Sequence, residues 1–399
     1  MTDPELITTD DALADLIAHL RASGRFAFDT EFVSESTFEP ILCLIQVATR
    51  DRLAAVDPLA FEDVRIFWDV VNDPAIEVVM HAAGEDLRIG KLQSGYLPAR
   101  VVDVQLAAAL VGYGYPLSLG NLVREVVGQS VAGGETRTDW RRRPLSPAQL
   151  RYALDDVRYL LDAADLLNAR LDAMNRRAWV ESEYQVLLES IRARDDDDRW
   201  RRLPGLHGLN RRGLEVARRL SLWRRDDARR ANRPIRHVLK DDLLVAIAKR
   251  MPATIADLKA LRDFNRTEMI ARAPEIVQAI AEAQDVDPAE LPDHVERRDD
   301  GPGGSMVVSL LNAALTQIAA GNKVAASLLG TTADLKEVVR WHVARRPESY
   351  RPALLEGWRG EVCGQTILDV VAGKRALRIV DPEAEVPVAV DSIAGDGSP

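Results

Sequence analysis

Two hydrophobic periods divide the chain. Up to about residue 105, short apolar runs alternate with helical stretches; from Leu117 onward the helical spacing stands alone. Phe26-Ala-Phe-Asp-Thr-Glu-Phe-Val33 alternates with period two, and Ile41-Leu-Cys-Leu-Ile-Gln-Val-Ala48 is an apolar run of strand length. Arg52–Val56, Glu77–Met80 and Arg100–Asp103 complete the expected strands, with helices over about 61–71 and 84–93 between them. Such alternation predicts an α/β sheet with covered faces. Ser146 and Pro147 open a long helix as N-cap and first helical residue, and its apolar positions run on through Leu150, Leu154, Val157, Leu160 and Leu161.

Past the acidic run at 195–198 the pattern predicts two all-α units, joined by a Gly- and Pro-rich linker over 297–305. The expected organisation is an α/β domain over 1–198, helical domains over 199–295 and 303–380, and a disordered tail over 381–399. The acidic N-terminus has no signal-peptide pattern, and no uninterrupted apolar stretch approaches the roughly 18 residues of a membrane span. Cys43 and Cys363, far apart and flanked by apolar residues, read as buried free thiols in a reducing compartment, which makes the cytoplasm the expected location. No extended apolar surface pattern asks for a partner copy, so a monomer is expected.

Charge changes the picture. The net charge is −10, yet residues 199–250 hold 16 Lys or Arg against five Asp or Glu. A cationic segment in an acidic protein is a candidate footprint for a polyanion, with solvated helix faces as the plainer alternative.

Candidate chemistry lies in the acids. Asp29 and Glu31 share one face of a strand, where burial and mutual repulsion are costly unless a hard cation offsets them; an edge strand with both acids in water is the plainer reading. Asp86 falls in the first turn of a helix, where acids often serve only the helix dipole. Tyr152 and Asp156, four apart, share a helix face, with Asp155 turned about 100° away from Asp156. Four carboxylates converging on one point can hold two divalent metals about 3.5–4 Å apart for in-line phosphoryl displacement. Mg²⁺ or Mn²⁺ is favoured over zinc, since no His or Cys cluster competes. His81 reads as a satisfied strand-end histidine.

Phe28-Asp-Thr-Glu-Phe32, His81-x4-Asp86, Thr138-Asp-Trp-Arg-Arg-Arg-Pro-Leu145 and Tyr152-x3-Asp156 together resemble the ribonuclease D family, in the tyrosine subclass of the DEDD exonucleases, over roughly residues 7–200. The helical units resemble HRDC domains, the second more weakly. The resemblance implies a ribonuclease H-like fold followed by two HRDC-type domains. It implies a 3′→5′ exoribonuclease that trims tRNA precursors and other small structured RNAs to nucleoside 5′-monophosphates. Carried over, Asp29, Glu31, Asp86 and Asp156 would ligate the metals and Tyr152 would orient the attacking water. Where the family often has Asp-Thr-Gln, this chain has Asp103-Val-Gln105, and Asp103 is read as a helix-start or supporting residue. Trp140, Arg141, Arg142 and Arg143 are candidates for RNA near the site, with Trp140 as a core plug the alternative. Arg211, Arg224 and Arg225 are candidates for the RNA body. A DNA exonuclease and a non-catalytic RNA-binding adaptor are the competing functions.

Overall fold

The computed structural model describes residues 5–131, 138–193, 197–295, 303–345, 347 and 349–393. Parts of the expected acidic boundary (195–196) and linker (297–302), and the last six residues of the expected tail, lie outside them.

The first part runs β1 (Glu5–Ile7), α1 (Asp10–Ser23), β2 (Arg25–Val33), β3 (Ile41–Ala48), β4 (Leu53–Val56), α2 (Arg65–Val71), β5 (Glu77–Met80), α3 (Gly84–Ser94) and β6 (Val101–Asp103). The strands form one sheet in the order β1-β4-β3-β2-β5-β6, antiparallel at β2–β3 and β3–β4 and parallel elsewhere. The three-residue β1 is too short to show a period, which is why the hydrophobic pattern does not reveal it.

Alternation along β2 sorts the two faces. Phe26 and Phe28 turn toward α1–α3, where both meet Phe67 edge-on and Phe28 also meets Trp68 edge-on. Ala27 turns to the other face, under α4 (Val104–Ala109), α5 (Leu119–Leu122), α6 (Pro147–Arg158) and α7 (Leu160–Ala173). Asp29 and Glu31 follow Ala27 by parity and face α6. The N-terminus of α6 is fixed by a capping box: Ser146 accepts from the Gln149 N–H, and the Gln149 side chain accepts from the Ser146 N–H. Helix α8 (Arg177–Arg192) packs Tyr184, Leu188 and Ile191 on the α3 side.

The first helical unit comprises α9 (Arg211–Arg230), α10 (Ile235–Val238), α11 (Asp241–Arg250), α12 (Ile255–Lys259), α13 (Thr267–Ala271) and α14 (Ala273–Gln284), around its own core of Trp200, Leu214, Leu244, Phe264 and Ile276. It touches the sheet domain at the β2–β3 loop: Phe38 packs on this core, its N–H donates to Asn232, and Arg229 lies over its ring. The second unit comprises α15 (Gly304–Gly321), α16 (Ala326–Leu329), α17 (Thr332–Val343), α18 (Gly357–Arg359) and α19 (Gln365–Val371). Its apolar residues share one continuous core with α4 and α7. Arg176 donates to the carbonyls of Leu110, Asn322 and Lys323, while buried Glu183 accepts from the Trp358 indole at 2.7 Å and from the Arg359 guanidinium. Helix α15 is long and apolar enough to cross a membrane by length and composition, but Leu311, Leu315 and Ile318 are spent in that core.

One expectation is corrected. The segment from 381 is not wholly disordered, because Val388–Ser392 pairs as β8 with β7 (Arg375–Ile379), and Leu377 and Val390 pack against the shared core. Each strand offers too few apolar positions to outweigh its Pro-, Gly- and acid-rich surroundings in a composition reading.

Candidate active site

β2 pairs with β5 from Arg25 to Ala27 and no further, so the edge of β2 beside Asp29 to Glu31 is open. The start of α3 fills that gap. Asp86 Oδ1 accepts from the Thr30 backbone N–H at 3.2 Å and from the Thr30 hydroxyl. Thr30, between the two acids and pointing the other way, thus ties α3 to their strand. The turn before α3 is held by Asp103, whose carboxylate accepts from the N–H groups of Ala82, Ala83 and Gln105 at 2.9–3.1 Å. Ala82 there has φ of 55°, a conformation that needs such support. Asp103 is therefore a capping residue. His81 Nε2 donates to the Leu117 carbonyl at 2.8 Å, and burial lowers its pKa; it is a satisfied strand-end histidine.

Asp29, Glu31, Asp86 and Asp156 come from β2, α3 and α6, and each is perturbed upward. Burial dominates in every case. Asp29 lies well above the usual carboxylate range through burial and the charges of Asp86, Asp156 and Glu31. Glu31 is pushed up to about 8 by burial, Asp156 and Asp86. Asp156 reaches about 7 through burial and Asp155, and Asp86 about 6 through burial, moderated by its Thr30 bonds. The Tyr152 phenol rises to about 12 through burial and the charges of Asp156, Glu31 and Asp29. It stays a neutral donor at physiological pH. Acids on α3 and α6 raise those on β2, which puts the three elements' carboxylates within electrostatic reach of one another.

Among the described residues, no group of three or more His, Cys, Asp or Glu side chains stands ready-made as a metal cage. The donor set nevertheless suits a hard divalent cation: oxygen ligands only, Asp86 buried and Asp29, Glu31 and Asp156 half-buried, and mutually repulsive without one. Both Thr30 bonds go to Asp86 Oδ1.

The expected RNA contacts divide sharply. Trp140 is 4% exposed and packs with Leu145, Leu154 and the Tyr152 ring, centroids 6.3 Å apart, so it supports the tyrosine and offers no face to a base. Arg143 is likewise structural, donating to Asp57 at 2.5 and 2.6 Å and to the Cys43 and Trp140 carbonyls at 2.7 Å. Arg141 pairs with Asp139 at 2.8 Å, and the Arg142 side chain, 85% exposed, lies 3.8 Å from the same carboxylate. In the first helical unit Arg211 donates to the Leu291 and Pro292 carbonyls, and buried Arg224 to Asp241 and the Leu239 carbonyl. Arg143, Arg211 and Arg224 are thus corrected from RNA-facing to structural, and of the two readings of Trp140 the structure has the core plug. Arg225 is half-buried. Sequence reasoning also missed Asp57, the buried carboxylate that draws Arg143 inward; its aspartate-proline setting carries no signal of a partner 86 residues away.

Comparisons with known proteins agree with this architecture. Residues 4–172 match a family described as 3′-5′ exonuclease, 213–280 the HRDC domain, and 302–367 the ribonuclease D C-terminal HRDC domain. The chain is similar to Ribonuclease D of Bartonella henselae (34% identity over 373 residues, 93% of this chain and 90% of that protein). It is also similar to Ribonuclease D of Escherichia coli (30% over 367 residues, 91% and 97%). The crystal structure of E. coli RNase D, an exoribonuclease involved in structured RNA processing, superposes with a TM-score of 0.80 at 29% identity, covering 93% of this chain and 99% of that one.

Proposed function

We propose that this chain, which belongs to the ribonuclease D family and is a 3′→5′ exoribonuclease, works with two divalent cations, magnesium or manganese, held by Asp29, Glu31, Asp86 and Asp156. The DEDD exonucleases are divalent-metal-dependent enzymes. What supports the ligand assignment is that four acids from three elements lie partly or wholly out of water and repel one another. When bound, the cations would lower the pKa of the attacking water and stabilise the charge on the departing 3′ oxygen.

The chain's own residues do the rest. The neutral Tyr152 hydroxyl orients the water beside Asp156, and Trp140 holds the tyrosine ring in place. Thr30 and Asp103 fix α3, and with it Asp86. Arg142 reaches the phosphates upstream of the scissile bond. The first helical unit, docked on the β2–β3 loop, carries the RNA body on exposed Arg202, Arg236, Lys249 and Arg250. Its substrates in this reading are tRNA precursors and other small structured RNAs, met in the cytoplasm, where Cys43 and Cys363 stay reduced. One chain supplies every ligand, so a monomer suffices.

The test uses 5′-labelled single-stranded RNA and DNA. A stepwise RNA ladder with Mg²⁺ or Mn²⁺, abolished by chelator, is expected. Asp29→Asn and Asp156→Asn should each abolish the ladder while RNA still binds; near-normal turnover in either would remove it from the ligand set.

A further inference from the structure

Gln46 is fully buried, and neither its Nε2 nor its Oε1 bonds to any protein group. Burying an unpartnered amide costs free energy that an aliphatic side chain of similar size would save, so the residue asks for a reason. Its place in the sheet supplies one. Gln46 lies in the middle of β3, in register with Ala55 of β4 on one side and Asp29 of β2 on the other. Leu6 of β1 continues the row beyond Ala55. The row across this face therefore reads leucine, alanine, glutamine, aspartate, and Asp29 is the one polar ladder neighbour that Gln46 has. Directly paired residues hold their Cβ atoms about 4.5–5.5 Å apart, within reach of an amide. Above the row, α6 presents Ala153, Leu154 and Val157, which offer no side-chain hydrogen bond.

We propose that Gln46 is a positioning residue for Asp29: in the cation-loaded enzyme its amide N–H would donate to the Asp29 carboxylate and so fix the rotamer of that side chain. The idea rests on Asp29 being a metal ligand. A residue with no solvent exposure cannot touch RNA, so Gln46 acts through Asp29. Outer partners that hold a ligating group in place typically change metal affinity by about 10–100-fold when removed.

The experiment uses the full-length protein stripped of metal, and reads Mn²⁺ binding by the electron-spin resonance of free Mn²⁺ alongside thermal unfolding. Gln46→Met, close in volume, should leave the metal-free melting temperature unchanged or higher while weakening Mn²⁺ binding about 10–100-fold. At saturating Mn²⁺ it should lower kcat with KM for RNA little changed. A merely structural amide would give the reverse: a lower melting temperature and Mn²⁺ binding as in the parent, and that result overturns the proposal. Should the Met variant not fold, Gln46→Asn, whose amide is one methylene too short, is expected to show the same weakening, and parental affinity there overturns it equally. Asp29→Asn, run in parallel, separates the two claims. If it loses Mn²⁺ binding while Gln46→Met does not, the positioning role alone fails; if it binds Mn²⁺ like the parent, the ligand assignment fails first.

Discussion

Four acids with raised pKa values make the metal-free candidate site a source of instability with a defined pH dependence. The native state holds protons that the unfolded chain, with ordinary carboxylates near pH 4, has already released. Stability therefore falls as pH rises from about 4 through the range set by Asp86 at about 6, Asp156 at about 7 and Glu31 at about 8. Asp156→Asn removes one charge from the set. Without metal it should be more stable than the parent by on the order of 1–2 kcal/mol at pH 8, with the difference shrinking toward pH 5. Denaturant melts at the two pH values check this. A variant less stable at both would mean that Asp156 is satisfied as an anion. The wild type should recover with Mn²⁺, and the variant should not.

At the scale of elements, what the sequence reveals depends on whether the partner is near in the chain. Helix α6 announces itself through Ser146, Pro147 and the four-residue spacing of Tyr152 and Asp156, because capping and helical period are local. The Asp29–Glu31 pair is equally plain from the alternation of β2. Asp86 is faint, since an acid in a first helical turn is common and Thr30 is 56 residues away. The loop before α6 misleads. Trp-Arg-Arg-Arg reads as a nucleic-acid surface, yet folding spends Trp140 on Tyr152 and Arg143 on buried Asp57, and leaves Arg142 in water. That difference is measurable. Arg143→Ala strands a buried carboxylate and should cost about 2–3 kcal/mol of stability, discounted for the part-exposed arginine. Arg142→Ala should shift stability by less than about 0.5 kcal/mol and instead weaken RNA binding. Equal destabilisation by both would refute the division.

Across the whole molecule, the two helical units are attached in different ways, and sequence could not tell them apart because both are amphipathic helices after a polar break. The second unit completes the core over α4 and α7 and is bolted by buried Glu183, which meets the buried Trp358 indole and the part-buried Arg359. Glu183→Gln leaves Arg359 facing a neutral amide and should lower, by about 2–4 kcal/mol, the stability of the sheet domain and second unit, which should melt together in one calorimetric transition. The first unit, with a separate core, should keep its own transition unchanged. Its excess charge is smaller in space than in sequence. Acids from beyond residue 250, namely Glu268, Glu275 and Glu282, come back to pair with Arg233, Arg230 and Arg219, and buried Asp227 takes Arg230, Arg233 and Arg272. What remains for phosphates is the exposed fringe. Changing Arg202, Arg236, Lys249 and Arg250 together to Ala should weaken binding to unrelated RNA sequences alike. It should also flatten the dependence of log K on log salt by about 0.7 for each single-strand phosphate that the variant no longer neutralises. Cleavage of a dinucleotide, too short to span both sites, should continue at the parental rate. A variant that keeps the parental salt slope would place the RNA body elsewhere on the molecule.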